Sequence, residues 1–103
     1  VQQVIPPFRA SRHVHATLTD GGGMLLDTRG RGRWHVLTAT GAACWPHLAR
    51  GDVTSAADTL TARWGTPTGR AHNDTLALAR HLLMARLLRP YKPLWRPWWR
   101  PSE

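Results

Sequence analysis

The chain has 103 residues and carries 14 Lys and Arg against 6 Asp and Glu, a net charge of +8 at a sequence pI of about 11.7. One domain of this size buries roughly 60–70% of its unfolded surface, so a small core needs no staple. The single cysteine, Cys44, excludes an internal disulfide and a thiolate zinc cluster.

No apolar run approaches the roughly 20 residues that span a bilayer, and VQQVIPPFRASRH lacks a secretion-signal pattern. A cytoplasmic protein with no membrane partner is expected. Thirteen of the basic residues are arginine, scattered from Arg9 to Arg100. Scattered charge points to an acidic partner in general, not to a nucleic-acid footprint.

Residues 1–11, with Pro6-Pro7, read as an extended, loosely held N-terminal arm. His13–Thr19 alternates like a strand, and Asp20-Gly21-Gly22-Gly23 turns the chain. Met24–Thr28 and Arg33–Thr38 are the second and third expected strands. The stretch between them, Arg29–Gly32, has two glycines suited to a tight hairpin. Its arginines are expected in solvent.

The pattern then becomes helical. Thr38 or Thr40 can cap a first helix that Gly51 closes, with Pro46 expected to bend or shorten it. Asp52 or Thr54 caps a second helix, Ser55–Trp64, whose Ala57, Leu60 and Trp64 form one stripe; Trp45 and Trp64 are expected in the core. A third helix is expected over Gly69–Leu87, after Pro67. Thr75, Leu78, Ala79, Leu82 and Leu87 form its main stripe, flanked by Leu76 and Leu83. Pro90 stops it, and residues 90–103 form a Pro/Trp/Arg-rich tail with Trp95, Trp98 and Trp99. Such a tail folds back on the domain, docks on a partner, or makes an accidental crystal or oligomer contact, with the first two readings favoured.

The ordered series LLDTRGRGRWHVLTATGAACW, LARG and LLMARLL resembles the PqqD-like family, over roughly Val14–Leu88. Two positions depart from the family pattern: Arg86 stands where a glycine is common, and Thr38 where Asn often ends the third strand. The resemblance implies an α+β winged helix-turn-helix, a three-stranded antiparallel sheet followed by three helices, spanning residues 12–89. It also implies a precursor-recognition element, similar to the stand-alone leader-binding proteins of lasso-peptide pathways. Such a protein has no catalytic residues and no cofactor. It presents the leader, with its Tyr-x-x-Pro element, to a cysteine-protease-like leader peptidase and to a cyclase.

Strand physics suggests how a leader would bind. A three-stranded meander leaves an unpaired edge, to which an extended peptide can add. Alternation puts Arg33, His35 and Leu37 on one face of the third strand, and Trp34 and Val36 on the other. The expected opposite wall is the third helix through Leu76, Arg80 and Leu83. Arg33 and Arg80 are placed to meet leader carboxylates.

Other chemistries find little support. His13 and His15 would share a strand face with His35 across the sheet, but no carboxylate or cysteine stands at a ligand spacing. Ser11, Ser55 and Ser102 lack an elbow motif, Cys44 sits in a packed helix, and no phosphate-binding glycine pattern occurs. The competing function is a DNA-binding winged-helix regulator. Its recognition helix should show a row of base-reading side chains, and SAADTLTARW offers only Arg63.

Overall fold

The computed structural model describes residues 5–90. In chain order these form β1 (Phe8–Ala10), β2 (Val14–Thr19), β3 (Gly22–Asp27), β4 (Arg33–Leu37), α1 (Ala39–Leu48), α2 (Val53–Trp64), α3 (Thr68–Met84) and β5 (Leu88–Pro90). The expected α+β architecture is present: β2, β3 and β4 form an antiparallel meander in that order, followed by three helices.

Both hairpins follow from their turn residues. Asp20-Gly21 links Thr19 to its partner Gly22. Thr28–Gly32 links Asp27 to its partner Arg33. In the second turn Gly30 and Gly32 have φ of 62° and 84°. That left-handed conformation costs a residue with a Cβ about 1–2 kcal/mol, so the glycines of RGRGR are there to turn the chain.

Register divides the sheet into two faces. Ala16, Leu25 and His35 lie in one row, with Leu25 fully buried against the helices. The neighbouring row, His15, Leu26 and Trp34, faces outward. Histidines 15 and 35 therefore stand on opposite faces, and among the described residues no group of three or more His, Cys, Asp or Glu could hold a metal ion.

Side chains at the helix starts take up orphan N–H groups. The Thr38 hydroxyl accepts from Gly41 N–H at 3.2 Å. The Asp52 carboxylate accepts from Ser55 N–H at 2.9 Å and from the Ser55 hydroxyl at 2.7 Å. These bonds hold the Asp52 carboxyl below its ordinary range, the backbone N–H contributing most. Pro67 is the N-cap of α3, one residue before the helix. Pro46 lies inside α1, which ends two residues later.

The described part of the expected arm is anything but loose. Phe8 is 2% exposed within the core, and Phe8–Ala10 pair antiparallel with Leu88–Pro90. Ala10 N–H donates to Ala49 O, and Ser11 N–H to Leu87 O, both at 3.0 Å. The two ends of the described chain thus close on each other. The tail from residue 91, with its three tryptophans, lies outside the described residues, as do residues 1–4.

Two expectations need correction. Trp45 is in the core, but Trp64 is 41% exposed: it is the last residue of α2, where no further turn packs over it, and its ring carries the Arg63 guanidinium at 4.6 Å. The third helix stops at Met84, short of Leu87. Arg86 takes φ of 64°, Arg86 N–H donates to Leu83 O at 3.1 Å, and Leu87 N–H to Leu82 O at 2.9 Å. This is a Schellman close with arginine where glycine is usual. It redirects Leu87 and Leu88 into the core.

Candidate peptide-binding groove

Strand β4 has β3 on one side only, and its free edge faces α3 across a groove of about 420 Å³. Trp34, His35, Val36 and Leu37 line the strand side, and Leu78, His81 and Leu82 the helix side; Leu87 closes the floor. Leu37, Leu82 and Leu87 are buried, while Leu78 and His35 are half-buried. Thr38 and Gly41, from the capped start of α1, close one end. The groove therefore pairs an unsatisfied backbone edge with an apolar floor.

The strand residues singled out in the sequence, Trp34 to Leu37, come together here. Arg33 lies just beyond, at the start of β4 in an adjoining cavity. The helix residues are distributed differently. Steps of about 100° place Leu76, Arg80 and Leu83 on the far flank of the buried stripe Ala71, Thr75, Ala79 and Leu82. Leu76 and Arg80 are half-buried outside the groove, and Leu83 packs on the core beside a separate cavity lined by Arg12 and Arg89. The strand-facing flank is Leu78 and His81. Leu78 was visible in the sequence as part of the apolar stripe, but nothing in a 3.6-residue period says which flank meets the sheet.

Arg29 sets the relation between the sheet and the end of α3. Its side chain donates from Nε to Asp27 Oδ1 at 3.0 Å and from Nη2 to Asp27 Oδ2 at 2.8 Å. Nη2 also donates to the Arg86 carbonyl at 2.6 Å, at the carbonyl-rich end of α3. The Arg29 hydrogen bonds pull the Asp27 carboxyl down to about 2 and raise the Arg29 guanidinium. One arginine of the turn is thus a tie between β3 and the loop after α3, which both line the adjoining cavity.

Cys44 is buried, its thiol pushed up by desolvation and directed at the Ala56 carbonyl at 3.8 Å. Among the described residues no helix is long and apolar enough to cross a membrane.

Comparison with known proteins places this geometry. The family described as Coenzyme PQQ synthesis protein D (PqqD) matches residues 22–88. A solved chain described as "Lasso peptide synthetase B1 complexed with the leader peptide" superposes with a TM-score of 0.69 at 28% identity, over 82% of this chain and 99% of that one. Another, "TbiB1 in Complex with the TbiA(beta) Leader Peptide", gives 0.70 at 24% identity, over 82% and 98%, and shows the shared fold. No curated protein sequence matches significantly.

Proposed function

The chain belongs to the PqqD family, and from that membership and the β4–α3 groove we propose that it binds the leader segment of a ribosomally made precursor peptide of the lasso type. The observation that carries this reading is the free β4 edge facing an apolar groove of about 420 Å³. An extended leader adds to Arg33–Leu37 through main-chain hydrogen bonds, and its alternate side chains enter between Leu37, Leu78 and Leu82. The leader complex of the 28% identical relative supports the assignment.

The same reading makes the protein a non-enzymatic adaptor. It holds the precursor while a separate cysteine-protease-like peptidase removes the leader and a cyclase closes the ring. The α2 surface gives the DNA-binding alternative no help: its exposed residues include Thr54, Asp58 and Ala62, with Arg63 engaged on Trp64.

Fluorescence anisotropy with a labelled synthetic leader, taken from the precursor encoded beside this protein, tests the proposal. Saturable binding that an unlabelled leader displaces and random duplex DNA does not is the expected result. Duplex binding with no leader binding would reverse it.

A further inference from the structure

Beside the groove lies a second cavity of about 500 Å³, and His35 lines both. This cavity is a cup of arginines: Arg29, Arg31 and Arg33 enter from the β3–β4 turn and the start of β4, and Arg86 from the loop after α3. Asp27 is the one acidic residue lining it, and its carboxylate is already held by Arg29. That pair cancels. Arg31, Arg33 and Arg86 are exposed and have no ion-pair partner among the described residues, so three unpaired arginines border one small space. Like charges gathered in this way repel one another unless an anion sits between them.

We propose that the cup is a second subsite of the leader groove, which takes an aspartate or glutamate side chain of the bound peptide. The inference rests on the leader-binding reading and adds to it a rule of sequence specificity. Guanidinium groups match a carboxylate through paired N–H···O bonds, which suits them to reading one acidic side chain. The two cavities share His35 in their linings, so a chain that fills the groove reaches the cup along β4.

Register then gives the position of the acid. Arg33, His35 and Leu37 share one face of β4. On a peptide strand paired to β4, the side chains entering the groove recur at every second residue. The acid opposite Arg33 therefore lies four residues from the apolar anchor seated opposite Leu37. Arg86 contributes to the far wall from the loop after α3.

The test uses the full chain and the labelled synthetic leader, with copies in which each Asp or Glu in turn is replaced by Asn or Gln. Amidation at the one predicted position should weaken binding about 2- to 5-fold, as expected for an exposed charge pair. Arg33→Gln should cost the same factor, and combining it with the amidated peptide should cost no more. Arg33→Glu should be rescued by a lysine at that peptide position. The Arg31 and Arg33 side chains make no described hydrogen bond or ion pair, so their variants should keep the native melting temperature.

Binding that no amidation changes, and that Arg31→Gln with Arg33→Gln leaves intact, would overturn the subsite while the groove reading stands. A leader that fails to bind even the unaltered protein would bring down the groove reading, and the subsite with it. Duplex DNA binding that is lost in Arg33→Gln, with leader binding unchanged, would assign the cup to nucleic acid and overturn the proposal as well.

Discussion

Individual residues carry roles here that their types alone do not announce. Gly51 has φ of 77°, and a Cβ built there would collide with the Phe8 carbonyl. Gly51→Ala should therefore cost about 1–3 kcal/mol, from the left-handed backbone and the pressure on β1 together. A urea melt would register this as a lower midpoint with an unchanged slope. Asp27 offers a pH signature. Its folded value of about 2 lies below the unfolded value near 4, so the Asp27–Arg29 pair stabilises fully above pH 4. That contribution fades as pH falls from about 4 towards 2. Asp27→Asn should flatten the pH dependence of stability in this window, while leaving the contribution of Asp52 in place. In the sequence, Gly51 reads as a helix terminator, which it is, but the approach of Phe8 from far upstream has no local signal. Likewise Arg29 reads as one of three alternating turn arginines. Only the return of α3 to the turn separates it from Arg31.

Elements were far more legible than their flanks. Period-two alternation and the Asp-Gly and Gly-x-Gly turns delimit the meander within a residue or two, because a half-buried strand needs alternation and the second reversal uses φ > 0 at Gly30 and Gly32. The helices are equally plain in their caps and stripes. What the pattern does not contain is the direction in which α3 leans, and so Leu76, Arg80 and Leu83 on one flank compare evenly with Leu78 and His81 on the other. The structure turns the second flank to β4. Leu78→Glu puts a charge on that wall at a half-buried position outside the fully packed core. It should weaken leader binding by tenfold or more while the protein still folds, as checked by circular dichroism beside the anisotropy titration. Leu76→Glu, on the far flank, should leave affinity within about twofold.

At the scale of the whole molecule, the fold is a sheet and three helices closed by a strand pair that no local pattern reveals. Phe8–Ala10 and Leu88–Pro90 lie at opposite ends of the described chain, and each is only three residues long. An isolated Pro-Pro-Phe-Arg-Ala reads as an arm because its partner is some eighty residues away. Phe8 nevertheless fills the core, so Phe8→Ala should cost about 3–5 kcal/mol, a large share of the stability of a domain this size. Removal of residues 1–11 should leave the remainder unfolded, seen as loss of near-ultraviolet circular dichroism.

The fold supplies a frame on which the free edge of β4 faces a groove, and a leader peptide is proposed to occupy that edge. Nuclear magnetic resonance of the isotope-labelled protein, titrated with the unlabelled synthetic leader, tests it most directly. The largest amide shift changes and new protection from exchange should fall on residues 33–38 and on Leu78 to Leu82, with α2 unmoved. Shift changes confined to α2 and the Arg29–Gly32 turn, with β4 amides still exchanging freely at saturation, would contradict it.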